Sequence, residues 1–125
     1  RIAAARPGGT WRDWDKALGA NCHKVETGRG YSSVYGRMSW STPSPTITTQ
    51  FYGFGNGRFG HPEQNRALTL REGALLQGFP RNYQFARPGE LIRFTRIGRL
   101  IGNAVPVHLA SALARAVKKH LEIVG

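Results

Sequence analysis

The sequence predicts an α+β fold, and three observations carry that reading. Residues 27–60 hold Gly, Ser, Thr, Tyr and Phe in quantity and no Asp or Glu. Within them, Pro45-Thr46-Ile47-Thr48-Thr49-Gln50-Phe51-Tyr52 has the β-branched and aromatic content of a strand. Residues 66–80 and 105–121 instead place apolar side chains at helical spacing between recognisable start and stop residues. The expectation is a small β-rich part followed by helices. The 125 residues carry 16 Gly and 7 Pro, so turns should be frequent. The length bounds the chain to about one domain with one modest core.

Each element has its own grounds. Over 6–20, Thr10 can cap a short helix, Asp13 and Asp15 suit its first turns, and Gly19 can stop it. Trp11 and Trp14, three apart, share a face and read as packing residues. The strand over 45–52 runs into Gly53-Phe54-Gly55-Asn56-Gly57, where alternating glycines permit close approach of backbone to a ligand. Composition leaves two readings of that region open: an ordinary glycine-rich hairpin, or a basic, aromatic surface that tracks a phosphate backbone. Over 66–80, Thr69 and Glu72 form a capping box, Leu70, Ala74, Leu75 and Leu76 make the apolar stripe, and Gly78 and Pro80 end the helix. Arg66 and Arg71 lie near its N-terminus, where a cation opposes the helix dipole, so each should have its own anionic partner. The last helix is expected from Pro106, with Val105, Leu109, Leu113, Ala116, Val117 and Leu121 as its stripe. Gly102-Asn103 before it reads either as an N-cap or as a seat for an anion on free N–H groups.

Charge narrows the partners. Lys plus Arg is 18 against 7 Asp plus Glu, a formal net charge of +11, and 14 of the 18 are arginine. The guanidinium fork matches phosphate and guanine bidentately, so nucleic acid is the favoured partner. No apolar run approaches the roughly 20 residues of a membrane helix, and no secretory leader opens the chain. A single Cys excludes an internal disulfide and a cysteine-built zinc site, which points to a reducing, cytoplasmic setting. The start at Arg1 rather than Met suggests a fragment, a processed chain or a trimmed one. No acid pair suits general acid/base work, and no Walker loop, nucleophile elbow or zinc-protease motif occurs. His61-Pro62-Glu63-Gln64-Asn65 could be read as part of a metal-dependent nuclease, but other ligands are missing, and His61 fits loop hydrogen bonding better. Cys22 beside His23 reads as inert.

Pro62 to Pro80, with Asn65-Arg66-Ala67-Leu68-Thr69-Leu70-Arg71-Glu72 at its centre and Leu76-Gln77-Gly78-Phe79-Pro80 at its end, resembles motif IX of the DNA cytosine-5 methyltransferases. Ile101-Gly102-Asn103-Ala104-Val105-Pro106 is similar to their motif X, and Tyr35-Gly36-Arg37-Met38 with Pro43 to Thr49 resembles the end of their target recognition domain. The resemblance runs from about Gly8 to the end. It implies methyl transfer from S-adenosylmethionine to C5 of a flipped-out cytosine in double-stranded DNA. It divides the chain into a target recognition region, 1–60, and a region, 61–125, whose helices complete a Rossmann-like α/β domain lying elsewhere. Arg37 and Thr46 are then the leading DNA-contact candidates, Arg37 on phosphate or guanine and Thr46 beside the target nucleotide. Thr48, Gln50, Asn56 and Arg58 follow. Asn103, and Ala104 through its backbone, would border the cofactor, while Arg66, Arg71 and Glu72 would be scaffolding.

The family's glycine-rich cofactor loop, Pro-Cys nucleophile, Glu-Asn-Val and Gln-x-Arg-x-Arg segments are missing from these residues, so the chain should not methylate alone. Its partner would be an N-terminal methyltransferase half, as a separate subunit or the rest of the chain, in a restriction-modification setting. The rival is a stand-alone DNA-binding module. Arg81 stands where the family usually has Asp, and Val107 where a second Pro is common.

Overall fold

The computed structural model describes residues 1–124. Five α-helices occur among them: α1 (Asn21–Lys24), α2 (Glu26–Arg29), α3 (Leu70–Leu76), α4 (Phe94–Gly102) and α5 (Val107–Val124). Single 3-10 turns lie at Ile2–Ala4, Trp11–Asp13, Lys16–Leu18 and Phe54–Asn56. Helix amounts to 44% and the described residues form no sheet, which overturns the α+β expectation with its small β-rich region. Strand-like pairing is confined to two isolated bridges, Arg37 to Gly60 in parallel and Gly60 to Ala67 antiparallel.

The physical reason lies in what surrounds the 45–52 segment. Pro43 and Pro45 remove two ladder donors at its start. At its end the Phe51 N–H folds back on the Thr48 carbonyl (3.3 Å) and the Gly53 N–H on that of Gln50 (3.0 Å). The inside–outside alternation of a strand survives: Ile47 and Phe51 are buried while Thr46, Thr48 and Gln50 are exposed. β-Branched content predicted the alternation, and turns consumed the donors a ladder would need.

Ile47 and Phe51 join Phe59, Leu68, Ala74, Ile97 and Ile101 in the main core, edged by Met38, Tyr52, Leu70, Phe79 and Phe85. This core takes residues from both sides of position 60, so the 1–60 and 61–125 regions share one interior. Phe51 is fully buried and packs against the backbone of α3, where a Cβ on Gly73 would collide with its ring. Helix α4 reaches the same core through Ile97 and Ile101, with Gly98 against the Tyr52 ring and Gly102 against the Thr48–Thr49 peptide. A smaller aromatic cluster holds the N-terminal part. The Trp11 ring stacks on His23 at 3.9 Å, and Trp14, Tyr35 and Phe54 meet edge-on or stacked beside them. Both tryptophans are packing residues, as their spacing predicted.

Helix punctuation follows the sequence closely. Thr69 accepts from the Glu72 N–H and the Glu72 carboxylate accepts from the Thr69 N–H, the expected capping box. Gly78 ends the run at φ +84°, a conformation costly for any residue with a Cβ. Helix α5 begins at Val107, with the Pro106 carbonyl accepting from the Ala110 N–H. It spans 18 residues and buries none. Leu109, Leu113, Val117 and Leu121 are each more than half exposed, so its apolar stripe is bare. The stretch Phe94–Val124 is long and apolar enough to cross a membrane by length and composition. It is broken at residues 103–106, and α5 carries Arg115, Lys118, Lys119 and Glu122 beside its stripe, the pattern of a helix that lies on a surface.

Candidate nucleic-acid interface

Two constellations position the candidate residues. The first is built around Arg37. Tyr35, at φ +53°, turns the chain sharply, and Gly36 then lies so close to Arg58 that a Cβ would meet its side chain at 2.5 Å. Arg37 is thereby directed inward and is only 4% exposed. Its Nη1 donates to the carbonyls of His61 (3.0 Å), Gln64 (3.1 Å) and Pro62 (3.5 Å). Its Nη2 donates to the Ile2 carbonyl and to Asn65 Oδ1, both at 2.7 Å. Five oxygens take up both Nη groups and the Nε–H is buried without a partner, so the guanidinium presents no exposed face to phosphate or guanine. Arg37 ties residue 2, the 8–9 turn and the 61–65 loop into one piece, the backbone of Arg37 also pairing with Gly8 and Gly9.

The other five DNA-contact candidates lie on the surface. Thr46, Thr48, Gln50, Asn56 and Arg58 are all exposed. Asn56 Nδ2 donates to the Gln50 carbonyl (3.1 Å), closing the 50–56 loop. Arg58 flanks a cavity of about 270 Å³ with Gly8, Ser39, Thr42, Pro43 and Pro45. The stretch is thus a ridge of hydroxyl and amide groups with one guanidinium, on a segment that holds no carboxylate to repel a phosphate.

The loop after the ridge is organised by the capping box of α3. Arg66 makes a bidentate pair with Glu72, Nη1 to Oε2 and Nη2 to Oε1, each 2.7 Å. The Arg66 pair, with two further hydrogen bonds from Thr69, holds the Glu72 carboxyl down to about 2 and raises the guanidinium. Arg66 therefore has the anionic partner its position demanded, whereas Arg71 donates to the Tyr83 carbonyl (2.8 Å) and lies over the Phe85 ring. His61 Nδ1 accepts from the N–H groups of Glu63 and Gln64. His61 is thus a loop organiser, and no cluster of three metal-ligating side chains exists among the described residues.

The second constellation is the turn between α4 and α5. Asn103 caps the C-terminus of α4, its N–H donating to the Arg99 carbonyl (3.0 Å), and the Ala104 N–H donates to that of Ile101 (3.1 Å). Asn103 therefore does not N-cap α5, which starts four residues later, and the N–H groups of Asn103 and Ala104 are both spent on carbonyls of α4. What the turn presents is the exposed Asn103 amide at the negative end of a helix dipole. Gln77, at the end of α3, donates from Nε2 to the carbonyls of Ile101 and Ala104, both 3.0 Å, bracketing that turn. Sequence reasoning passed over Gln77, because a glutamine between an apolar stripe and a terminating glycine carries no signal of what it will reach.

Comparison with known proteins decides the family. The model of the C-5 cytosine-specific DNA methylases matches residues 3–119. The chain belongs to that family. It is 60% identical over 122 residues to the type II methylase M.HgiDII of Herpetosiphon aurantiacus, covering 98% of this chain and 34% of that protein. It is 44% identical over 94 residues to the type II methyltransferase M1.BsuMI of Bacillus subtilis, covering 75% of this chain and 21% of that protein. Against the type II methyltransferase M.AquIB of Picosynechococcus the identity is 37% over 103 residues, with 77% and 70% covered. The chain therefore spans about a third or less of the first two relatives and most of the third.

Proposed function

We propose that this chain is the DNA-recognising and fold-completing part of a DNA (cytosine-5)-methyltransferase, and that the enzyme moves the methyl group of S-adenosylmethionine to C5 of cytosine in duplex DNA. The observation that carries the reading is the pairing of an acid-free polar ridge with a helix, α5, whose whole apolar stripe is bare. The ridge of Thr46, Thr48, Gln50, Asn56 and Arg58 suits a phosphate backbone and base edges, with Thr46 nearest the target nucleotide. Arg37 acts behind it, fixing the 61–65 loop. The bare stripe of α5 suits a hydrophobic seat on an N-terminal methyltransferase half. The boundary near residue 60 is functional, recognition before it and docking after it, above a shared core.

The α4–α5 turn fits the edge of a cofactor pocket. Asn103 can both donate and accept there, and the helix C-terminus favours the cationic groups of S-adenosylmethionine. That cofactor supplies the activated methyl group, and this chain supplies only part of its seat. The nucleophile belongs to the other half, so this chain is inactive alone. The setting is the bacterial cytoplasm, beside DNA.

The test is complementation. The chain is mixed with an N-terminal half carrying the Pro-Cys nucleophile, and methyl transfer to duplex DNA is measured. Activity should require both pieces. DNA binding without activity against any cognate half would favour a stand-alone binding module instead. In the active mixture Arg58→Ala should lower the salt slope of DNA binding by about one charge, and an unchanged slope would remove Arg58 from the interface.

A further inference from the structure

We infer that Gln77 is a positioning residue for the cofactor edge, and the inference rests on the reading that the Asn103–Ala104 turn borders S-adenosylmethionine. Helix α4 ends at Gly102 and α5 begins at Val107, so the intervening residues belong to neither helix. Such a turn keeps its shape only through what its carbonyls and N–H groups meet. The N–H groups of Asn103 and Ala104 are satisfied from α4. The Ile101 carbonyl, which already accepts from the Ala104 N–H, and the Ala104 carbonyl are bridged from outside by one side-chain amide: Gln77 Nε2 lies 3.0 Å from both oxygens.

The amide is part-buried and fixed at its own root. The Gln77 N–H donates to the Gly73 carbonyl at 3.1 Å, ending α3 one residue before Gly78 turns the chain away. From the other side Gly102 rests on the Thr48–Thr49 peptide, where a Cβ would lie 2.5 Å from backbone atoms. The turn is therefore clamped between the Gln77 amide of α3 and the Thr48–Thr49 peptide, and these two groups aim the Asn103 side chain. Both clamping bonds use N–H donors, so the chemistry required at position 77 is donation across a fixed reach.

The experiment uses the complete enzyme, this chain with its methyltransferase half, and measures kcat and KM for S-adenosylmethionine and for DNA. Gln77→Met keeps length and apolar contact but cannot donate. It should raise the cofactor KM about tenfold, with kcat at saturating cofactor and the DNA KM unchanged. Gln77→Lys restores a donor and should recover most of the loss. If Gln77→Met fails to fold, Gln77→Asn, one methylene short of the carbonyls, gives the same reading. An unchanged cofactor KM in a folded variant overturns the proposal, as does a fall in kcat and both affinities together without recovery by Lys. Asn103→Ala separates the two levels. A raised cofactor KM there with Gln77→Met silent defeats the positioning role alone. Silence of both variants defeats the cofactor reading of the turn as well.

Discussion

Arg37 shows how a residue can be central without touching the partner its charge suggests. The family resemblance placed it on DNA, and the acid-free 27–60 stretch, which also holds Arg29 and Arg58, offers it no carboxylate of its own. Nothing local reveals that the 61–65 loop, more than twenty residues on, supplies backbone oxygens to receive it. Truncation leaves those buried carbonyls without donors, so Arg37→Ala should destabilise the chain by about 3 kcal/mol. Denaturant unfolding measures this, and the salt slope of DNA binding in whatever remains folded should not change. Glu72 makes the opposite case, since its spacing from Thr69 announced its role. Its carboxyl titrates at about 2 in the fold against an ordinary 4.5. A depressed carboxyl stabilises above its unfolded value and loses that contribution as pH falls from about 4.5 towards 2. Glu72→Gln should flatten stability over that window and cost about 2 kcal/mol at neutral pH, as read from thermal melts at stepped pH.

Among the elements, the helices were legible and the 45–52 segment was not. A capping box, a terminating glycine and a 3.6-residue stripe are properties of neighbours in sequence, and α3 and α5 appear within a few residues of where those signals put them. The 45–52 segment depends on whether a distant strand offers it donors and acceptors, which composition cannot say. Two glycines record packing that no pattern announced. Gly73 admits Phe51 to the face of α3, so Gly73→Ala should lower stability by about 2 kcal/mol despite the better helix propensity of alanine. Chemical denaturation decides the sign, and a stabilised variant would mean that the ring moves aside at little cost. Helix α5 presents the converse problem of apolar residues without neighbours. Leu113→Glu with Leu121→Glu should suppress concentration-dependent self-association of the isolated chain, measured by sedimentation, and should abolish complementation by the methyltransferase half.

Across the whole molecule, acid weakens the fold from two directions. Besides Glu72, the aromatic cluster buries His23, whose Nδ1 accepts from the Ala20 N–H and whose Nε2 has no partner. Burial, aided by the nearby Arg1, lowers the imidazole below its ordinary 6.5. The unfolded chain therefore takes up a proton that the folded one refuses, and stability falls as pH drops below 6.5. His23→Phe should remove that slope near pH 6 while leaving the steeper loss near pH 4. An unaltered slope would place the neutral-range sensitivity elsewhere. The fold class itself escaped the sequence for a related reason. Charge, helices and motif order are written along the chain, whereas the sharing of one core across residue 60 emerges only when Ile47 and Phe51 meet Leu68, Ala74 and Ile101.

The bare stripe of α5 also sets a timescale. An isolated helix of 18 residues is marginal in water, because each turn must be held by its own hydrogen bonds. Its amides should exchange with solvent orders of magnitude faster than those of α3 and α4, which share the core. Once the stripe is covered, the same amides should slow by as much as the covering interaction is worth. Protection along Val107–Val124 is therefore a direct meter of assembly, readable without DNA, cofactor or turnover.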